Sequence, residues 1–369
     1  MKTKKYAKFN EITPLQLFFL IFLSQLGAGL LTLPRDVTAV AGQDGWISVF
    51  LATILTALAA AVAVKLASRF EGLGLIEINQ KVFGKFLGSV LSVIYFSYFL
   101  LNGANLLIVS AGLITVWVLP GFPLIYVRAL YLLALVYLTR NGIKVIARLF
   151  TLYFYHIVPL FFILAWPAWN LEPRLIFPVG TVGLLPVLKG MEAPLYGFLG
   201  FETVLLLNPF LKEPQKSMLP VQAATLLVGL LYTATVFILT GFFGVGELQF
   251  QLWPTIFVAR TIEVAFVERL DIFVDIIWVI ITFTTLAMNY YLAALSLARI
   301  FNQKEHKGFI LYLVPPIYLL DNLVYNATQA FVFAKYLSRT GAVLAYILPA
   351  VIYLISLVRK VKGGGKLAK

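Results

Sequence analysis

Few side chains in this 369-residue sequence are equipped for chemistry on a substrate. There is no cysteine, and the only histidines are His156 and His306. Disulfides and thiolate metal sites are therefore excluded, and two imidazoles leave little for metal binding. No phosphate-cradling Gly-rich loop, zinc-spaced ligand set or nucleophile elbow occurs, so neither an enzyme nor a cofactor is expected. What remains is a small set of polar groups inside apolar runs, where an ionisable side chain is expensive and its default reading is functional. Glu202, in GFLGFETVLLLNP, is the clearest. Three roles are open to it: pairing with a ligand cation, carrying a proton, or accepting backbone N–H bonds at an interrupted helix. His156, in FYHIVPLFF, suits proton coupling because imidazole titrates near physiological pH. Its plainer role is a satisfied packing residue.

Two polar stripes accompany these groups. Tyr98, Asn102 and Asn105 recur at helical spacing, and so do Thr282, Thr284, Thr285 and Asn289. Either stripe suits a ligand path, and either suits hydrogen bonding between helices, worth about 1 kcal/mol per bond. Arg35 and Asp36 follow the first glycine cluster and could form a gate pair, although exposed neighbours of opposite sign are usually solvated.

Glycines mark where backbone is available to a ligand. One cluster, Gly27, Ala28 and Gly29, sits inside SQLGAGLLTLPRDV; another, Gly197 and Gly200, sits inside APLYGFLGFETVLLLNP. Glycine permits unwound backbone and close helix approach. Unwound backbone within a bilayer is tolerated only where it lines a cavity or is buried in protein. Small-residue faces also serve simple helix packing. Matching interruptions in the two halves of a chain point instead to a transporter-type central site.

The elements that must position these groups are membrane helices. Hydrophobic residues make up 61% of the chain and charged residues 12%, and the mean hydropathy is +0.93. Lipid must be the solvent for much of that surface. About ten runs approach the ~20 apolar residues a crossing needs, near 14–40, 45–66, 86–118, 123–139, 146–168, 191–209, 218–244, 270–300, 308–326 and 340–358. The first is expected to be a retained span, since no small-residue cleavage site follows it. With the N-terminus cytoplasmic, 21 of the 29 basic residues fall on the inner side, which follows the positive-inside rule and makes nucleic acid unnecessary as an explanation of the +13 charge. The basic tail, 359–369, suits a topology signal, with anionic lipid as a further partner. A short helix is expected between Glu71 and Lys85, and a loop or re-entrant helix between Glu247 and Arg269. One polytopic membrane domain spans 1–369.

The segments GAGLLTLPRDVTAVAGQDGW and GFLGFETVLLLNPFLKEPQKSMLP resemble the first- and sixth-span signatures of the amino acid–polyamine–organocation transporter superfamily. Within it, QLGAGLLTLPRDV, YYLAALSLARIFN and the ten-span length resemble the spore-germination permeases, the membrane B subunits of germinant receptors. The resemblance implies an all-α, leucine-transporter-type fold: two inverted five-helix repeats, about 14–168 and 191–358, with spans one and six broken around an amino acid. By position, amides at Gly27, Ala28 and Gly29 would receive the carboxylate. Carbonyls around Gly197, Phe198 and Gly200 would receive the ammonium. Tyr98, Asn102, Thr282, Thr285 and Glu202 complete the expected site, with His156 and Glu202 the candidates for proton coupling. The resemblance further implies a bacterial inner or spore membrane location with both termini cytoplasmic. It implies partner subunits, a larger membrane protein and a lipoprotein, and a sensing role. The alternative is a secondary amino acid transporter coupled to H+ or Na+.

Overall fold

The computed structural model describes residues 10–27, 29–262, 270–322 and 327–363. These are helical almost throughout. Helix α1, Pro14–Gln25, starts on a capping box. Thr13 Oγ1 accepts the Gln16 N–H at 3.2 Å, the Gln16 side chain accepts the Thr13 N–H at 3.0 Å, and Pro14 occupies the first turn. The chain then breaks and restarts as α2, Gly29–Ala41. After it come α3 (Gly45–Arg69), α4 (Leu75–Phe83), α5 (Lys85–Leu113), α6 (Leu124–Arg140) and α7 (Ile143–Ala165). The second half holds α8 (Leu184–Gly190), α9 (Glu192–Gly197), α10 (Thr203–Leu207), α11 (Met218–Phe250), α12 (Pro254–Phe257) and α13 (Leu270–Ile300). The chain closes with α14 (Lys307–Ile310), α15 (Val314–Asn322), α16 (Ala327–Ala342) and α17 (Leu348–Val358).

Among the described residues, six stretches are long and apolar enough to cross a membrane unaided: Gly29–Arg69, Lys85–Val116, Ile143–Asn170, Pro214–Phe250, Leu270–Ile300 and Val332–Val358. This is a multi-pass membrane protein. The expected run 191–209 is divided between α9 and α10, each too short to cross alone. The expected run 123–139 forms a 17-residue helix. The last helical stretch begins at Ala327, well before the expected 340, because Gln329, Lys335, Ser338 and Arg339 interrupt the hydropathy without interrupting the helix. The short helix expected between Glu71 and Lys85 is α4. Of the segment expected between Glu247 and Arg269, residues 247–250 extend α11 and 254–257 form α12, while 263–269 lie outside the described residues.

The loops expected on the inner side gather at one pole. Arg299 pairs with Glu77 at 3.4 Å, Arg69 donates to the carbonyls of Ser356 and Val361, and Arg359 donates to that of Val82. A short parallel bridge, Ile12 to Leu211, ties the start of α1 to the segment after α10 there. At the opposite pole the buried carboxylate of Asp44 accepts the N–H groups of Gly180 (3.0 Å) and Val182 (3.3 Å), which clamps the 171–183 segment over the turn between α2 and α3.

Candidate functional site

The two helix interruptions face each other at the centre of the bundle. The first lies between Gln25 and Gly29, where Leu26 leaves helical geometry (φ −77°, ψ 91°); Ala28 lies outside the described residues. The second lies between Gly197 and Thr203. Gly200 adopts φ +133°, a backbone conformation open to glycine, and a Cβ there would stand 2.7 Å from the carbonyl carbon and oxygen of Ser24. A Cβ on Gly29 would stand 3.1 Å from the Gly197 Cα. The glycines therefore bring the two interruptions together backbone to backbone. Gly27 faces Thr285, whose Oγ1 would lie 3.3 Å from a Cβ at that position.

Freed carbonyls in a low-dielectric interior need donors, and the protein supplies them. Thr285 Oγ1 lies 3.2 Å from the Leu23 carbonyl oxygen and 3.3 Å from that of Leu26. Tyr232 donates to the carbonyls of Gln25 at 2.8 Å and Gly197 at 3.2 Å. Gln25 Nε2 donates to the Phe198 carbonyl at 3.1 Å, and Thr203 Oγ1 to the Gly200 carbonyl at 2.7 Å. The carbonyls expected to receive an ammonium thus already hold protein donors. The Phe198 ring packs on Tyr232, centroids 5.2 Å apart.

Glu202 is buried, and its Oε2 accepts the Gly200 N–H at 2.7 Å. It therefore sits inside the interruption, with Tyr95, Tyr98 and Tyr346 within electrostatic reach. Tyr98 also lies against Gly341 and so joins α5 to α16. The two polar stripes meet: Asn102 Nδ2 donates to Asn289 Oδ1 at 3.1 Å, and Asn289 Nδ2 to the Thr285 carbonyl at 2.9 Å. This chain of bonds runs from α5 through α13 to the first interruption. Thr282 turns back on its own helix, its Oγ1 donating to the Val279 carbonyl. His156 is not part of this assembly. It is exposed on the outer face of α7, with Nδ1 2.9 Å from the Leu152 carbonyl oxygen.

A cavity of about 400 Å³ opens beside the interruptions, toward the pole of Asp44. This falls within the ~300–1,000 Å³ usual for small-molecule sites. Gly29, Thr32 and Asp36 form its α2 wall, Asn105 and Val109 its α5 wall, and Ala193 and Tyr196 its α9 wall. Ala330, Ala334 and Ser338 present a small-residue face of α16. Of the residues expected to contact ligand, Gly29 lines this space. Gly27, Gly197, Phe198, Gly200, Glu202 and Thr285 form the packed joint beside it, while Asn102 reaches the joint through Asn289, Tyr98 packs against Gly341 and Thr282 bonds to its own helix. At the mouth, Asp36 pairs with Arg35 at 2.8 Å and Glu192 with Arg339 at 2.9 Å. Lys189 and Lys335 form no ion pair among the described residues, so the mouth carries excess positive charge.

Gln25, Tyr232, Asn208 and Asp44 escaped the reading of the sequence. Asn208 Nδ2 donates to the carbonyls of Ala67, Phe70 and Leu73 and closes the end of α3. Gln25, a polar residue directly before the glycine cluster, carried a usable signal. A single tyrosine among 18 carried none.

The family model described as "Spore germination protein" matches residues 11–330. The chain is 29% identical over 359 residues to spore germination protein YndE of Bacillus subtilis (strain 168), covering 96% of this chain and 99% of that protein. It is 25% identical over 347 residues to spore germination protein GerQB of Bacillus cereus, covering 94% and 95%. Among solved structures, MhsT in complex with L-phenylalanine is similar with a TM-score of 0.60 at 12% identity, covering 93% of this chain and 98% of that one. A mutant manganese transporter of Eremococcus coleocola gives a TM-score of 0.65 at 12% identity, covering 94% and 79%. Identities this low establish a shared transporter fold and nothing finer.

Proposed function

The chain belongs to the spore germination protein family, and from that premise we propose that it is the amino acid-binding, permease-like subunit of a germinant receptor. The carrying observation is the cavity. Its walls are the turns that follow the first interruption and those that precede the second. A ligand there touches both broken helices at once, at the start of α2 and along α9. Differential contact with two arrangements of these helices is what a ligand needs in order to bias a two-state bundle. The glycine joint beside the cavity supplies the hinge, and Glu202 holds its second half.

In this reading the bundle has ten crossing segments in two inverted repeats of five. α1 with α2 forms the first segment, and α9 with α10 the sixth. Both termini then lie in the cytoplasm of a bacterial inner or spore membrane, an orientation the distribution of basic loops supports. A larger membrane subunit and a lipoprotein read the change of state. The family match and the likeness to a structure holding L-phenylalanine support an amino acid as ligand. The test is reconstitution in proteoliposomes with each of the twenty proteinogenic amino acids, radiolabelled. Saturable binding without counter-flow is expected of a sensor. Counter-flow uptake driven by H+ or Na+ would reassign the protein as a secondary transporter, and the absence of binding would remove the proposal.

A further inference from the structure

Several buried polar atoms of the bundle lack a hydrogen-bond partner, Asn102 Oδ1 among them, and among the described residues with such an atom Asn105 is the one that lines the cavity. Its side chain is buried (1% exposed), yet it lines the cavity, and its Oδ1 has no hydrogen-bond partner at bonding distance. A buried amide oxygen left so loses its hydration without return. Its neighbour on the same stripe, Asn102, is engaged with Asn289. The Asn105 amide is beside the Tyr196 hydroxyl, and Tyr196 lines the cavity too.

The start of α2 forms another wall of the same cavity. This 13-residue helix begins at Gly29, and Gly29 itself lines the cavity. Free N–H groups at a helix start favour an anion. The cavity thus presents anion-attracting amides on one wall and an open acceptor on another. That is the pattern of a zwitterion, with carboxylate toward α2 and ammonium toward α5. Of the other acceptors, the carbonyls of residues 197, 198 and 200 hold donors from Tyr232, Gln25 and Thr203, and the carboxylates of Asp36 and Glu192 at the mouth are paired with Arg35 and Arg339.

We infer that Asn105 is the specificity-determining residue of this cavity, and that its Oδ1 accepts a hydrogen bond from the α-ammonium group of a bound amino acid. The inference rests on the amino acid-binding reading above. Because the joint's carbonyls already hold a protein donor each while Asn105 Oδ1 holds none, discrimination between an amino acid and its des-amino analogue falls to this side chain on α5.

The test uses the full chain in nanodiscs. The twenty proteinogenic amino acids are screened by thermal shift. The tightest binder and the carboxylic acid lacking its amino group are then titrated against wild type, Asn105→Leu and Asn105→Asp. In wild type the amino acid is expected to bind at least about tenfold more tightly than its des-amino analogue, the usual worth of a hydrogen bond to a charged group. Asn105→Leu should remove that difference by weakening the amino acid alone. Asn105→Asp, which keeps an acceptor and adds charge, should retain or widen it. If Asn105→Leu does not fold, the Asp variant and the wild-type ratio still decide. Equal weakening of both ligands by Asn105→Leu, a wild-type ratio near one, or loss of the preference in Asn105→Asp would overturn the inference and leave amino acid binding intact. Failure of all twenty amino acids to bind would overturn the amino acid-binding reading and the inference with it.

Discussion

The hydroxyl of Tyr232 donates to the carbonyl of Gln25 at 2.8 Å, across 207 residues of sequence. The same hydroxyl lies 3.2 Å from the Gly197 carbonyl oxygen. One side chain on α11 therefore straps the end of α1 to the end of α9. Tyr232→Phe keeps the ring packed on Phe198 and removes the donor, leaving two buried carbonyls underbonded. A loss of about 1–3 kcal/mol is expected. Thermal unfolding in detergent checks it, and an unchanged midpoint would show that the strap contributes nothing.

Gly200 carries the closest approach of the two interruptions. Alanine there meets both an unfavourable φ of +133° and the Ser24 backbone. Strain and overlap together should cost about 2 kcal/mol or more. Gly112 provides the contrast, because a Cβ at that position has nothing within 4 Å. Gly112→Ala should leave the unfolding midpoint unchanged or slightly raised. Equal effects of the two substitutions would remove the joint from the account.

Much of this arrangement was legible in the sequence. The glycines at 27, 29, 197 and 200 marked both interruptions, because little besides close backbone approach explains paired glycines in matching spans. The stripes on α5 and α13 were visible as spacing, and they meet at Asn102 and Asn289. Which carbonyls the donors satisfy was not legible, although Thr285 was visible in its stripe and Gln25 in its place before the glycines. Gln25, Tyr232 and Thr285 act on partners in other helices, and a uniformly apolar span gives no periodicity to orient them. His156 was open to two roles, proton coupling and packing, and spacing alone could not orient it: it faces outward, apart from the joint, and bonds to its own helix.

Glu202 tests the meaning of the second interruption. Its Oε2 accepts the Gly200 N–H, a bond that needs an oxygen and not a charge. Glu202→Gln should keep ligand affinity within about threefold and leave its pH profile unaltered, while Glu202→Leu should destabilise the fold. A tenfold or greater loss of affinity in a folded Gln variant would assign the charge to the ligand. A lost pH dependence with intact affinity would assign it to a proton.

His306, between α13 and α14, gives a pH-dependent signature outside the spans. It is buried against Tyr291, and its Nε2 lies 2.8 Å from the Thr139 carbonyl oxygen. Burial, the largest cause, lowers its pKa below the ordinary 6.5. The unfolded chain therefore takes up the proton first. The contribution of the neutral ring is present above pH 6.5 and is lost as pH falls through and below that value. The wild-type unfolding midpoint should fall more steeply with acidification than that of His306→Gln. Parallel profiles would contradict this.

The central claim is that an amino acid occupies the cavity between α2, α5 and α9. Ala193 lines that space, and tryptophan there would fill much of it. The deciding measurement is calorimetric titration of the amino acid that most raises the unfolding midpoint, into wild type and Ala193→Trp in the same nanodiscs. The account predicts saturable binding to wild type and none to an Ala193→Trp protein that still unfolds cooperatively. Wild-type affinity retained in the filled variant would contradict it.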